Sequence, residues 1–333
     1  MRALVTGAAG FLGSHLVEHL LENGHTVVAL DDGSTGDWRN LDSAPTRRLH
    51  RVSGSVLDAR TVDEAAAGCD VIFHLAAAVG AFVIRDRTLD SLLTNIHGTQ
   101  HVMEAASRHG ARVLLASTSE IYGKNDKVGL TEQDDRIVGS PLKSRWSYSE
   151  AKAVDESLVR AWDEERGVWS VTVRLFNTVG PRQSGRYGMV LPRFVSKALH
   201  GMPLTVFGTG EQIRCFCHVA DVVPALLDLV RTERARGHAV NLGSAEQVSI
   251  VGLAHRVIAL TGSRSGIEYH SYEEVYGSGY EDMQRRVPDC TLARELVGFH
   301  PAHDTDSIIR SVIDEHTRTA DRTAVASSLS GRE

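Results

Sequence analysis

The stretch Thr6-Gly7-Ala8-Ala9-Gly10-Phe11-Leu12-Gly13 constrains the fold of this chain more than any other feature. It lies between a short apolar run, Arg2 to Thr6, and a helical pattern, Phe11 to Glu22. In that strand-turn-helix setting Gly7 permits the tight turn, Gly10 lets the backbone approach a pyrophosphate, and Gly13 allows the helix to pack closely on the strand. The unpaired N–H groups and positive dipole end of the helix then face the anion. A β-branched run, Thr26 to Leu30, follows and ends in Asp31 and Asp32. This completes a βαβ unit with an acidic residue about twenty positions beyond the loop, the pattern of dinucleotide binding. Asp31 is placed to accept hydrogen bonds from both adenosine ribose hydroxyls and to repel a 2′-phosphate, so the expected cofactor is NAD and not NADP. No Arg follows it until Arg39.

Further apolar runs at Leu49–Val52, Val71–Ala76, Val113–Ala116 and Val171–Leu175 alternate with helical periodicity, as in Leu89–His109 and Ser149–Arg166. Alternation of this kind implies an α/β fold, a Rossmann-type doubly wound parallel sheet with helices on both faces. From about Gly180 the character changes, and Pro181, Pro192, Pro203, Gly208 and Gly210 punctuate shorter elements. The reading is a dinucleotide-binding domain over 1–180, to which part of 205–245 returns. A smaller α/β substrate-binding lobe occupies mainly 181–316, and a flexible tail, without apolar period, runs over 317–333.

The 333 residues carry 36 Lys+Arg against 42 Asp+Glu, a formal charge of −6 that opposes nucleic-acid binding. No apolar run approaches the ~20 residues of a membrane span, and Met1 to Val5 enter a strand directly, so a cytoplasmic protein without a membrane partner is expected. Cys69, Cys215, Cys217 and Cys290 form neither a disulfide framework nor a metal-ligand pattern, so no metal is expected. Cys215 and Cys217, flanking Phe216, read as apolar packing at a buried strand end.

The catalytic constellation is Thr118, Tyr148 and Lys152. Tyr148 and Lys152 are four apart at the start of a helical stretch, so they project from one face. A phenol with a pKa near 10 is a poor base at neutral pH, but a nearby ammonium and a positive nicotinamide ring would bring it into range. Thr118, ending the strand Val113–Ala116, can donate to the same substrate oxygen. Lysine occurs at only five positions in a chain that otherwise uses arginine, so Lys152 reads as chosen for its tunable ammonium.

The glycine spacing, His74-Leu75-Ala76-Ala77, Ser117-Thr118-Ser119-Glu120-Ile121-Tyr122-Gly123 and Tyr148-Ser-Glu-Ala-Lys152 together resemble the extended short-chain dehydrogenase/reductase family, in its nucleotide-sugar branch. One departure is Gly54-Ser55-Val56, where the family has Gly-Asp-Val. The resemblance implies a cofactor lying against Gly7, Gly10, Phe11, Leu12, Gly13, Asp31, Ser55, Val56, Leu75, Ala76, Ala77, Tyr148 and Lys152. It also implies that bound NAD oxidises the sugar C4 hydroxyl, so that the ketone acidifies neighbouring carbons for a second reaction.

In detail the chain is similar to UDP-glucuronate decarboxylases, through Ser117 to Gly123, Lys143 to Tyr148, Arg214-Cys215-Phe216, Tyr276 to Asp282 and Arg285 to Asp289. By that resemblance Ser119 and Arg286 hold the glucuronate carboxylate or an adjacent phosphate. Glu120 manages a proton at C5, Arg214 binds the diphosphate, Tyr280 lies against the nucleotide and Asn177 orients the substrate. Arg193 and Val206 join the substrate set, Val206 in a strand resembling the one that brackets uracil. The segment Tyr187 to Phe194 is more similar to epimerases and dehydratases, which leaves a UDP-sugar 4-epimerase as the alternative. A 4,6-dehydratase would carry Asp-Glu where this chain has Ser119-Glu120, and an NAD-sensing scaffold would have lost Tyr148 or Lys152. A homodimer through a four-helix bundle, built from Leu89–His109 and Ser149–Arg166, is the oligomer the resemblance implies.

Overall fold

Strand β1 (Arg2–Thr6) shows why the first half folds as a two-sided sheet. Ala3 and Val5 turn to one face and Leu4 to the other, and all three are fully buried, so both faces demand a covering layer. The computed structural model describes the backbone of residues 1–276 and 281–330, and the side chains of these apart from 81–83, 276 and 319–330. Helix α1 (Phe11–Glu22) and the helix Val219–Arg231 cover the Ala3/Val5 face, while α2 (Ala59–Ala66) and α4 (Thr88–His109) cover the other. A short α3 (Ala81–Asp86) precedes α4, and α5 (Ser147–Arg166) lies along it. Burial of each leucine, such as Leu4, Leu16 or Leu20, stabilises the fold by about 1.5–3 kcal/mol.

β1, β2 (Thr26–Asp31), β3 (Leu49–Ser53), β4 (Val71–His74) and β5 (Arg112–Thr118) belong to one seven-stranded parallel sheet. Its order is Ala239–Leu242, Ser170–Leu175, β5, β4, β1, β2, β3. The order reverses beside β1, between β4 and β2, which opens a crevice at the carboxyl ends of the strands. One expectation shifts here: the run Val71–Ala76 is strand only to His74. Beyond it the chain bends toward the glycine loop, and Ala76 N donates to Thr6 Oγ1 at 3.1 Å.

A second sheet runs in the order Gln247–Ser249, Ile213–Cys215, Arg285–Pro288, Val128–Leu130. Its strand Arg285–Pro288 pairs in parallel with Ile213–Cys215 and sets Arg286 opposite Arg214. Phe194, Leu204, Leu253 and Ile308 fill the core of this lobe. Cys215, Phe216 and Cys217 are all buried, as packing groups, and burial pushes the Cys215 thiol up to about 12.

The last helix of the lobe runs Thr305–Ser330. Ile308, Ile309 and Val312 anchor its first turns in the lobe's core. The residues that follow contain neither Gly nor Pro before Gly331, so nothing in the sequence stops the helix once it is nucleated.

Candidate active site

A cleft of about 1190 Å³ runs from the glycine loop across the ends of β1, β4 and β5 to the second lobe. Gly7, Gly10, Phe11, Leu12, Gly13, Asp31, Ser55, Val56, Leu75, Ala76 and Ala77 all line it. The loop is built for close approach. Gly7 has φ +68°, and a Cβ on Gly13 would stand 2.0 Å from the Gly7 carbonyl oxygen. Asp31, ending β2, accepts from Ala9 N at 2.9 Å and Gly33 N at 2.8 Å, and burial above all raises its carboxyl. Its remaining lone pairs suit ribose hydroxyls, while Arg39 is occupied by Asp37. A backbone cradle without room for side chains and a carboxylate at the ribose position fit NAD.

On the opposite wall Thr118, Ser119, Glu120 and Tyr148 line the cleft together. Thr118 Oγ1 accepts from Glu120 N at 3.2 Å and caps the turn Ser119–Tyr122, which keeps its hydroxyl proton free to donate outward. Tyr148 begins α5 just beside it. Burial, then the charges of Glu120 and Asp155, raise the Tyr148 phenol above its ordinary value. Lys152 departs from the simple expectation: it lies 1% exposed beneath the cleft, and its Nζ donates to Asp155 Oδ2 at 3.0 Å. A buried ammonium requires a carboxylate, and Asp155 supplies one a single helical turn further along.

The second lobe contributes Arg214 and Arg286, and both line the cleft. Arg286 Nη1 donates to Ser119 Oγ at 3.3 Å, its Nη2 donates to Asn177 Oδ1 at 3.1 Å, and its Nη1 lies 3.5 Å from Glu120 Oε1. Burial and the charge of Arg214 bring the Arg286 guanidinium down to about 10, and its buried Nε–H has no acceptor among the described residues. Asn177 takes φ +38° and donates Nδ2 to Cys215 O at 2.8 Å, so its amide orients Arg286 from below. Arg214 Nη2 donates to Asp282 Oδ2 at 3.1 Å.

Three of the expected substrate residues need comment. Arg193 lines the cleft and its guanidinium sits 4.5 Å over the Phe207 ring. Val206 does not reach the cleft: it is fully buried in the second lobe's core, because on that strand Thr205 and Phe207 alternate to the open side. Tyr280 lies outside the described residues.

Two residues without an assigned role in the sequence reading complete the site. Arg145, on the turn Ser144–Trp146 that leads into α5, donates from Nη1 to Glu120 Oε2 at 2.7 Å and lies 3.8 Å from Asp282 Oδ1. Burial alone would raise Glu120, but Arg145 and Arg286 outweigh it and hold the carboxyl below its ordinary value. Asp282 behaves alike: burial is outweighed by Arg214, Arg145 and Arg286. The signal for Arg145 was its place three residues before Tyr148, one turn away on the same helical entry. Three guanidiniums thus meet two carboxylates, which leaves positive charge for an anionic ligand beside the Thr118–Tyr148 pair.

A nucleotide-binding sheet, a Tyr/Lys pair and a polar second lobe over one cleft define a dinucleotide-dependent enzyme acting on an anionic substrate. The chain belongs to the NAD dependent epimerase/dehydratase family, whose model matches residues 3–243. It is 38% identical over 301 residues to the UDP-N-acetyl-alpha-D-glucosaminuronate decarboxylase of Bacillus cytotoxicus, covering 90% of this chain and 92% of that one. It is 35% identical to UDP-glucuronic acid decarboxylase 1 of Xenopus tropicalis, over 90% of this chain and 68% of its relative. Among solved structures it resembles the UDP-glucuronic acid 4-epimerase of Bacillus cereus in complex with UDP-glucuronic acid and NAD. The TM-score is 0.84 at 26% identity, covering 96% of this chain and all of the other.

Proposed function

We propose that this protein decarboxylates UDP-glucuronate by way of a 4-keto intermediate. The observation that carries the reading is the guanidinium pair Arg145 and Arg286, set around Ser119 and Glu120 immediately beside Thr118 and Tyr148. A carboxylate-binding corner there, next to the position of the sugar C4 oxygen, is what supports the reading. When bound, NAD supplies the acceptor and later the donor of the C4 hydride. Tyr148 takes the C4 hydroxyl proton, with Thr118 donating to the same oxygen. The resulting β-keto acid loses its carboxylate readily because both hydroxyls stabilise the enolate oxygen. Glu120, held ionised by two guanidiniums, does not give up a proton of its own; it orients a water toward C5. Arg214 and Arg193 face the diphosphate and nucleotide side of the cleft.

The test is incubation with carboxyl-labelled UDP-glucuronate and with its 2-acetamido analogue, with labelled CO₂ trapped and the nucleotide sugar identified. Release of labelled gas with formation of a UDP-pentose or UDP-4-keto-pentose is expected. UDP-galacturonate without gas would transfer the assignment to a 4-epimerase, the activity named for the Bacillus cereus neighbour.

The oligomer we propose is a homodimer through α4 and α5. These helices lie against each other and leave Leu89 and Val154 exposed, apolar groups that a second copy of the same pair would cover in a four-helix bundle. Light scattering should give twice the 36.2 kDa chain mass, and Leu89→Glu with Val154→Glu should return it to one. Four unpaired cysteines fit a reducing, cytoplasmic location.

A further inference from the structure

Behind Lys152 runs a group of buried polar residues that the reaction as described does not use. Thr6, His74, Thr99, Asp155 and Lys152 are each 1% exposed or less, and they belong to β1, β4, α4 and α5. Their hydrogen bonds have one consistent direction. Ala76 N donates to Thr6 Oγ1, so the Thr6 hydroxyl proton is free for His74 Nδ1 at 2.8 Å. His74 is neutral, because burial and then the charge of Lys152 push it down to about 3. Its single ring proton therefore sits on Nε2 and is donated to Thr99 Oγ1 at 3.2 Å. Burial raises the Asp155 carboxyl, against which Lys152 and then Thr99 favour its charged form; its Oδ2 accepts from Lys152 Nζ, while its Oδ1 has no hydrogen bond within 3.5 Å.

We infer that Asp155 is a positioning residue for the reaction: it holds the Lys152 ammonium at a fixed place below Tyr148, and its charge sets the pH at which Tyr148 begins to act as a base. A buried ion pair is poor value as mere packing, since apolar replacements are often as stable. Here the pair follows the catalytic tyrosine on α5, one helical turn along it, and approaches a separate bonded line, Thr99–His74–Thr6, that ends at the first residue of the glycine loop. The field at Tyr148 comes from few groups. On its own helix are Lys152 and Asp155. From the turn after β5 comes Glu120, itself matched by Arg145 and by Arg286 of the second lobe. His74 beneath is neutral. Asp155 is one of the two carboxylates that raise the Tyr148 phenol, and it is ion-paired with the ammonium one helical turn from that phenol, so removing its charge shifts the balance toward ionised Tyr148.

The inference rests on the proposed function only in taking Tyr148 as the base. The experiment follows release of labelled CO₂ from carboxyl-labelled UDP-glucuronate against pH in the wild-type holoenzyme, in Asp155→Asn and in Asp155→Glu. Asn keeps the shape and loses the charge, so the acid limb of the profile should move down by about one pH unit. Glu keeps the charge but displaces the ammonium, so the limb should stay within about 0.3 unit while the plateau rate falls several-fold. A limb in Asp155→Asn that is unmoved, or that moves up because Lys152 has surrendered its proton, would overturn the inference. So would an Asp155→Glu enzyme identical to wild type in limb and plateau. If wild type releases no CO₂ from any UDP-uronate, it is the functional reading that fails. Asp155 is then judged by ultraviolet difference titration of the same proteins, with Tyr148→Phe as blank, where the same downward displacement is expected and its absence counts against it.

Discussion

Tyr148 starts on the wrong side of neutrality. Burial and two carboxylates make its phenol harder to ionise than free tyrosine, so its basicity depends on positive charge brought into the cleft with the cofactor. Tyr148→Phe should therefore cost turnover about 10³-fold or more while leaving NAD affinity, read by fluorescence titration, within about twofold. Normal turnover in that variant would remove the basis of the assignment. Arg145 invites a second test. It is the nearest cation to Glu120, and Arg145→Gln should lower kcat/KM for UDP-glucuronate about 10- to 100-fold, the worth of one charge-assisted hydrogen bond, with unchanged cofactor binding. A weakened cofactor with normal substrate handling would place Arg145 in the wrong half of the cleft. The meeting of Thr118, Tyr148 and the glycine loop at one cleft was legible because each is a residue type at a fixed spacing within one element. Arg145, Asp282 and Asp155 were not, because their function is defined by partners from other elements and no local spacing announces a long-range ion pair.

At the scale of elements, the alternation of apolar residues located the strands and helices of the first sheet well. α1 was legible to the residue, since its pattern starts at the glycine loop and ends where Asn23 and Gly24 stop it. What misled was the end of a run. Leu75 and Ala76 are as apolar as the strand before them, yet they leave the sheet to approach Gly7, and only the three-dimensional crossing reveals that. Val206 failed for the related reason that a strand's period says which residues alternate but not which set faces the ligand. The glycine loop itself gives a sharp expectation. Gly13→Ala puts a methyl group where the Gly7 carbonyl stands, so the loop must move away from α1. Overpacking of this kind should cost about 1–3 kcal/mol of stability and weaken NAD far more than it weakens the fold. Thermal unfolding with and without NAD checks it: wild type should gain a cofactor-dependent rise in Tm that the variant lacks. Asp31 adds the selectivity test, an NAD preference over NADP of at least about tenfold, with Asp31→Gly narrowing the gap.

For the whole molecule, composition bounded the answer but could not place the chain crossings. Val128–Leu130 joins the second sheet from the first half of the chain, and Ala239–Leu242 returns to the first sheet from the second half, so the two lobes share their connections as well as their cleft. The helix Thr305–Ser330 ties into this arrangement through His218. That imidazole accepts from Ala220 N at 3.1 Å through Nδ1, capping the helix Val219–Arg231, and therefore donates from Nε2 to Ser311 Oγ at 3.0 Å. It also stacks on His303 at 4.3 Å between ring centroids. Burial, then the charge of His303, hold His218 at about 4, below its ordinary 6.5. The unfolded chain thus binds more protons than the folded one between these values, and stability rises with pH across that window. The contribution is complete above about 6.5 and is lost as pH falls toward 4, because a proton on Nδ1 destroys the cap on Ala220 N. Tm measured from pH 7 down to pH 4 should therefore decline, and His218→Asn, whose side-chain oxygen can cap Ala220 without titrating, should flatten part of that decline. An unchanged pH slope in His218→Asn would show that the acid sensitivity arises elsewhere, in the carboxylates of the cleft.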